Sequence, residues 1–365
     1  MSSFFRDIIR GDNHTREQIE TMLSSNGEEK KMLFKAASEI KERYVGKKVY
    51  YRGLIEFSNV CGKNCLYCGI RRGNRNLERY NLTDDEIVEA ALFAYRNDYG
   101  SIALQSGEIE SDTFADRVEG LLKRVMEATD NSLGITISLG EQEPAVYRRW
   151  REAGARRYLL RIEASDPSLY KRLHPDDGHH LFKRRVESLN TLKELDYQTG
   201  TGVMIGLPWQ KISHLANDII FMRDMDIDMC GMGPYIEHAD TPLIDETTSL
   251  MPLPDRFDLT LKMIAVLRIV MKDINIAAAT ALQAIDPVGR EKGIMVGANI
   301  VMPNITPGKY RDSYKLYDNK PCTDDSAEDC KMCLEARLGI TNAEIGYGEW
   351  GDSLHYKRRK EAIGG

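Results

Sequence analysis

The sequence predicts an α/β fold in which eight parallel strands alternate with helices and close as a (β/α)8 TIM-type barrel. Three observations carry this. Short apolar segments recur eight times between about residues 49 and 302; amphipathic stretches of ten or more residues lie between them; no linker or low-complexity segment divides the chain. A length of 365 residues alone suggests two or three domains, but α/β barrels run long as single domains. An open half or three-quarter barrel is the competing closure.

Residues 1–47 read as an N-terminal helical extension. Ile19, Met22 and Leu23 keep helical spacing, and so do Leu33, Ala36, Ala37 and Ile40. The barrel is expected over 48–310. Its first strand is 50–57, and a cysteine-rich loop follows. Thr83, with Glu86 three residues on, marks a capping box and a helix start. The next strands are expected at 101–105, 134–139, 158–161, 201–205, 228–232, 275–279 and 298–302. Helices start near Thr113 and Pro144, and another contains Leu189 and Leu192. The stretch 236–254 is irregular, and Pro242, Pro252 and Pro254 point to an ordered loop. Residues 311–365 form a C-terminal cysteine-containing segment.

The composition is that of an ordinary globular protein, 42% hydrophobic and 29% charged. The net charge of −6 is made of interspersed signs, and without a basic stripe no nucleic-acid partner is expected. No run of 18 apolar residues occurs, so no membrane span is expected. The N-terminus has no apolar core long enough for a secretory signal. Six of the seven cysteines fall into two tight triplets. That pattern indicates metal binding in a reducing, cytoplasmic compartment rather than a disulfide framework. Cys230, alone in an apolar strand, reads as an inert buried thiol.

The first triplet is Cys61, Cys65 and Cys68, spaced C-x3-C-x2-C. Soft thiolates select zinc, copper(I) or iron–sulfur, and structural zinc takes four protein ligands. Three ligands without a nearby fourth fit a 4Fe–4S cluster with one open iron. A zinc-stabilised loop completed by a distant ligand is the alternative. The loop follows the first strand, which places it at the C-terminal mouth of a barrel. Polar residues ending other strands should face the same space. Gln105, Ser106, Gly107 and Glu108 end the second strand, and Gly107 permits close backbone approach to a ligand. Thr136 and Ser138 share one side of the third strand, and Arg161 and Glu163 share a face at the end of the fourth. Arg52, among apolar neighbours on the first strand, is expected to face the lumen.

Tyr67 stands just before Cys68, and Cys-x3-Cys-x-aromatic-Cys resembles the radical S-adenosylmethionine (radical SAM) superfamily. The resemblance implies reductive cleavage of S-adenosylmethionine to a 5′-deoxyadenosyl radical. Ser106-Gly107-Glu108 resembles the Gly-Gly-Glu element that meets the cosubstrate's amino group, with serine replacing the first glycine. The resemblance places Tyr67, Gln105, Ser138 and Glu163 in the same pocket. Arg185, beside Arg184, is matched to the methionine carboxylate.

Residues 55–69, 104–108, 137–141, 157–161, 191–195 and 231–234, with 240–243 and 302–304, are similar to one family of that superfamily: the FeFe-hydrogenase maturases HydE, relatives of biotin synthase and methylornithine synthase. The likeness runs from about residue 15 to 335. It implies a full barrel and a role in building the di-iron subcluster of FeFe-hydrogenase. The implied substrate is a small molecule or iron complex delivered by a partner maturase, and reduced ferredoxin or flavodoxin supplies electrons. Arg52, Arg161 and Thr280 match lumen positions that would hold carboxylate or anionic groups, Tyr314 and Tyr317 match cavity-side tyrosines, and Thr136 is counted with them in the substrate cavity. Thr280 departs from the family in following Ala279. The second triplet, Cys322, Cys330 and Cys333, corresponds to cysteines that bind an auxiliary 2Fe–2S or 4Fe–4S cluster in some members. Another radical SAM reaction on an amino-acid-like substrate, and a non-enzymatic iron–sulfur scaffold, are the competing functions.

Overall fold

The computed structural model describes residues 3–323 and 326–364. Eight strand positions form one parallel ring. They begin with β1 (Lys48–Ser58), β2 (Ser101–Ser106), β3 (Gly134–Ser138) and β4 (Ala155–Leu159). The fifth position is divided into β5 (Gln198–Thr201) and β6 (Met204–Ile205), and the sixth into β7 (Met229–Cys230) and β8 (Gly233–Pro234). β9 (Asn275–Ile276) and β10 (Ile300–Val301) complete it. The order is β10-β1-β2-β3-β4-β5-β7-β9, all parallel. Closure is direct. Tyr50 and Tyr51 pair with Ile300 and Val301. On the other side Asn299 donates its N–H to Ile276 O, and Ala278 to Ile300 O, each at 2.9 Å.

The divided strands have a steric cause. A β-carbon on Gly202 would collide with the Gly231 carbonyl, so the two backbones touch there and both chains bend. Beyond the bend, β6 and β8 pair with each other, Met204 opposite Gly233. The last two strands, β9 and β10, are shorter than the sequence predicts, β1 and β2 run longer, and the fourth both begins and ends earlier. Arg161 lies past β4, at the mouth, not within the strand.

The helix Asp84–Arg96 opens with the predicted capping box of Thr83 and Glu86. Helices Asp112–Ala128, Pro144–Glu152 and Phe182–Glu194 fall where the periodicity places them. The stretch 236–254 is ordered, with two short 3-10 turns, Pro242–Asp245 and Thr247–Ser249. The N-terminal helices Ser3–Arg10, Arg16–Leu23 and Gly27–Tyr44 pack together, the last two against barrel helices Leu253–Val270 and Ile212–Asp224.

The C-terminal segment serves both ends of the barrel. Residues 312–323 cross the mouth. Further on, β11 (Glu344–Ile345) pairs with Lys48 and Val49 at the start of β1. The chain that follows plugs the opposite end. Arg157 donates to Trp350 O (3.1 Å) and Asp352 Oδ1 (2.6 Å), Gln198 Nε2 to Asp352 Oδ1 (2.7 Å), and Asn275 Nδ2 to Gly351 O (2.8 Å). The last helix, Leu354–Gly364, is fixed by His355, whose ring lies 2.7 Å from Asp226 and 3.0 Å from Asp273.

Candidate active site

The loop after β1 is held by hydrogen bonds from the chain itself. The Arg79 guanidinium donates to four of its carbonyls: Asn59 (2.6 Å), Ile70 (2.8 Å), Arg71 (2.6 Å) and Asn74 (3.1 Å). Asn74 Nδ2 donates to Gly69 O at 2.7 Å. His180 Nε2 accepts from Asn64 N–H at 3.0 Å, so its Nδ1 carries the proton given to Asp177 at 2.8 Å. His174 donates Nδ1–H to Tyr170 O at 2.8 Å and turns Nε2 to Tyr67 OH at 3.4 Å. Burial pulls the His174 imidazolium down to about 3, so the ring is neutral.

The end of β2 is stitched to this loop. Gly107 donates to Ser58 O at 2.9 Å, Gly62 to Glu108 O at 2.7 Å, and Glu108 N–H points at Cys61 Sγ at 3.3 Å. A side chain at Gly107 would strike Val60 O and Cys61 Cβ. The glycine of the Ser-Gly-Glu element is thus required here by the cysteine loop itself.

Cys61, Cys65 and Cys68 line one cavity of about 320 Å³. Tyr67, Gln105, Ser106, Gly107, Glu108, Ser138, Glu163 and Arg185 line it too. Arg161, Thr280, Tyr314 and Tyr317 face it from the far wall and the crossing segment. Arg52 and Thr136 do not. Arg52 donates to Gly351 O at 3.2 Å and to Met229 Sδ at 3.1 Å, and Thr136 Oγ1 accepts from Arg157 at 2.9 Å. Both sit near the plugged end. Strand alternation fixes the face of a residue but not its height, and at about 3.3 Å per residue Arg52 lies roughly four steps below Glu56. Of the second triplet, Cys322 and Cys330 line the cavity, while Cys333 is exposed.

The cavity wall is strongly charged. Lys63 lies 3.2 Å from Glu108 and 2.8 Å from Glu141; Arg185 lies 3.3 Å from Glu108 and 2.8 Å from Glu141. Burial raises the Glu141 carboxyl, but the charges of Arg185 and Lys63 outweigh it and hold the group below its ordinary value. Glu108 Oε1 and Arg185 Nε touch opposite charges without an aligned hydrogen bond. Arg161 donates to Glu163 Oε2 at 2.9 Å and to Val203 O at 3.0 Å. Glu163 has φ +63°, a strained conformation for a non-glycine residue. Burial raises its carboxyl, with Arg161 opposing.

Sequence reading does not reach Lys63, Glu141, Glu56, Lys320 or Arg290, all at this site. One signal was available: Glu56 shares a strand face with Arg52 and Leu54 by period two. The Glu56–Lys320 and Glu141–Lys63 pairs are tertiary and have no local signature. Arg290 is 2% exposed and makes no carboxylate pair among the described residues; it donates to Gln283 Oε1 at 2.6 Å and lies 3.7 Å from Cys322 Sγ.

The three thiols of the first triplet suit a shared soft-metal centre. They are free of disulfides. Burial, then the charges of Cys68 and Cys61, push the Cys65 thiol far above its ordinary value, and Cys68 is pushed up to about 12. Part of each shift is the charge of a neighbouring sulfur, which places the thiols close together. Cys61 is also raised by burial, but backbone N–H groups of Glu108 and Lys63 favour its thiolate. Among the described residues no three His, Cys, Asp or Glu side chains are set for a single metal ion. The fit to a cluster rests on donor chemistry: three neighbouring thiols, N–H donors on one sulfur, and a cavity beside them.

Comparisons with known proteins agree with this geometry. The Radical SAM superfamily profile matches residues 55–221. The chain is 44% identical over 338 residues to the FeFe hydrogenase maturase subunit HydE of Thermotoga maritima, covering 92% of this chain and 93% of that one. It is 28% identical over 326 residues to 3-methylornithine synthase of Methanosarcina acetivorans, covering 87% of each. The crystal structure of methylornithine synthase (PylB) superposes with a TM-score of 0.80 at 25% identity, over 99% of this chain and 100% of that one. The FeFe-hydrogenase maturase HydG from Carboxydothermus hydrogenoformans shares the fold, with a TM-score of 0.79 at 18% identity over 94% of this chain and 78% of that one.

Proposed function

We propose a function from one premise: this chain belongs to the HydE family of FeFe-hydrogenase maturases, within the radical SAM superfamily. It is a radical SAM enzyme that cleaves S-adenosylmethionine, and it acts as a HydE-type maturase in assembly of the FeFe-hydrogenase di-iron subcluster. The observation that carries the reading at residue level is the cavity shared by three thiols and an ion-paired wall.

A 4Fe–4S cluster held by Cys61, Cys65 and Cys68 would supply the electron that breaks the sulfur–C5′ bond of S-adenosylmethionine, giving a 5′-deoxyadenosyl radical. The chain's own residues bind and orient. Arg185 is the cation placed for the methionine carboxylate, and Glu108 the carboxylate placed for its ammonium. Lys63 and Glu141 keep those two charges fixed. Tyr67, Gln105, Ser106, Gly107 and Ser138 shape the pocket around the cosubstrate. Glu163, held by Arg161, lines the same pocket. Arg161, Thr280, Tyr314 and Tyr317 face the substrate.

The second triplet is an auxiliary iron–sulfur site in this reading. Cys330 is raised chiefly by its hydrogen bond with Cys322, so two of the three sulfurs already meet. Cys333, three residues on in the same helix, Ala327–Leu338, would supply the third ligand. The substrate is an iron complex or small molecule handed on by a partner maturase, and a reduced ferredoxin or flavodoxin provides electrons. A cytoplasmic, reducing setting suits the free thiols. Among the described residues no helix is long and apolar enough to cross a membrane.

Anaerobic reconstitution with iron and sulfide, reduction by dithionite and addition of S-adenosylmethionine test the enzyme reading. Equal yields of 5′-deoxyadenosine and methionine are expected. A reconstituted, reducible protein that forms neither is a scaffold, and the reading fails. The full-length likeness to PylB favours one second reading, isomerisation of an amino-acid-like substrate; product analysis with the partner maturase's product separates the two.

A further inference from the structure

Lys320 makes a buried ion pair that the chemistry above does not use. Its Nζ lies 2.6 and 2.7 Å from the two oxygens of Glu56 and 2.8 Å from Tyr314 O. All three N–H groups of the ammonium are engaged. The two side chains are 6% and 2% exposed, and both line the cavity that the cysteines line.

The two ends of the pair differ in kind. Glu56 is fixed in β1. Its side chain accepts from Asn304 Nδ2 at 3.0 Å, its N–H donates to Thr306 Oγ1 at 2.9 Å, and its carbonyl accepts from Tyr80 OH at 2.6 Å. Lys320 belongs to residues 312–323, which contain no helix or strand. The segment's other ties fall at both sides of Lys320: Cys322 is met by Arg290 (3.7 Å) and by Arg311 through its carbonyl (3.4 Å), and the rest run to other loops. Ser313 O accepts from Asn59 Nδ2 (2.6 Å), Leu316 O from Gly69 N–H (3.0 Å), and Asp318 meets Glu237 O (2.9 Å) and Ala239 N–H (3.0 Å).

A buried ion pair is a poor device for stability, since desolvation offsets much of its attraction. It is a good device for holding one arrangement. The Lys320 ammonium also lies 4.9 Å from the Tyr314 ring centroid. The Tyr314 hydroxyl accepts from Gln105 Nε2 at 3.1 Å. Gln105 immediately precedes the Ser-Gly-Glu element stitched to Cys61.

We propose that Lys320 is a positioning residue: through Glu56 it fastens residues 312–323 across the cavity, and through Tyr314 it sets Gln105 for S-adenosylmethionine. The proposal rests on reading this cavity as the S-adenosylmethionine pocket.

The test uses the reconstituted full chain and the variants K320M and E56Q/K320M. Amide exchange without S-adenosylmethionine reads the crossing segment. Steady-state 5′-deoxyadenosine formation reads the pocket. K320M should speed exchange over 312–323 and raise the KM for S-adenosylmethionine roughly tenfold, with kcat changed by less than about twofold. E56Q/K320M removes the unpaired buried carboxylate, so it should regain thermal stability yet keep the faster exchange and the raised KM. Unaltered exchange or KM in K320M overturns the proposal. So does a double variant whose KM recovers along with its stability, which marks the pair as merely structural. If K320M does not fold, the double variant carries the same two readouts. Failure of the unaltered protein to cleave S-adenosylmethionine would sink the functional reading instead; exchange over 312–323 would still decide whether the latch exists.

Discussion

Lys63 Nζ lies 2.8 Å from Oε2 of Glu141, a carboxylate with no exposed surface. Lys63 stands between Cys61 and Cys65, and Glu141 lies just beyond β3, so one ammonium joins the cysteine loop to the opposite wall. Lys63→Met should therefore loosen cosubstrate binding more than cluster loading. Glu141 keeps Arg185 at 2.8 Å and Arg184 at 3.8 Å, so the stability loss should be about 2 kcal/mol, below the usual cost of breaking a buried pair. Equilibrium dialysis should show S-adenosylmethionine affinity weakened roughly tenfold, with iron content unchanged. Iron loss at unchanged affinity would instead make Lys63 a loop residue only.

Arg79 addresses the loop from the other side. Its guanidinium holds four carbonyls, an arrangement no lysine can copy because it needs the planar fork. Arg79→Lys should lower iron retained after desalting to less than about half and cost roughly 2 kcal/mol of stability. Iron and sulfide analysis beside a thermal melt checks both. Full retention in Arg79→Lys would mean the backbone alone shapes the loop.

The two cysteine triplets should separate by mutation. Cys65→Ser should abolish reductive cleavage of S-adenosylmethionine, a fall of at least roughly 10²-fold, because a hydroxyl is a poor soft-metal ligand. Cys330→Ser should leave cleavage within about threefold while removing the second site's iron. Chromatography of 5′-deoxyadenosine with electron paramagnetic resonance of the reduced protein checks this. Equal loss in both variants would mean that the cluster roles are misassigned.

What could be read from the sequence was local. The capping box of Thr83 and Glu86 and the glycine of Ser106-Gly107-Glu108 are short-range patterns that reappear as geometry, whereas Arg161 and Glu163 meet as an ion pair beyond the end of β4 and not on a strand face. Heights along the barrel are not local. Arg52 and Glu56 share a face of β1, yet one meets the C-terminal plug at Gly351 and the other meets Lys320 at the mouth. Pairs such as Glu56–Lys320 and Arg157–Asp352 join residues 264 and 195 positions apart. Periodicity carries no such information. The same limit hid the double role of residues 311–365, which cover one end of the barrel and plug the other.

His355 gives a prediction about pH. Burial lowers its pKa, but hydrogen bonds and charge from Asp226 and Asp273 outweigh this and raise it from 6.5 to about 9. The folded state holds this proton more tightly than the unfolded chain does. The contribution is therefore complete below pH 6.5 and is lost as pH rises through 9, a change of roughly 3 kcal/mol. Other groups face the same cluster. Arg358 pairs with Asp273, Arg359 with Asp226 and Asp228, and Lys193 with Asp226. Asp228, raised by burial to about 6, titrates mostly below this window. Lys41 acts in the opposite sense: burial pulls its ammonium down to about 7, so its unfavourable burial is relieved as pH rises. The measurement is therefore the difference between the unaltered protein and His355→Gln at each pH. Below pH 6.5 the variant should melt roughly 5 °C lower, and the gap should close by about pH 9.5. A gap independent of pH would show that His355 acts through packing of the last helix and not through its charge.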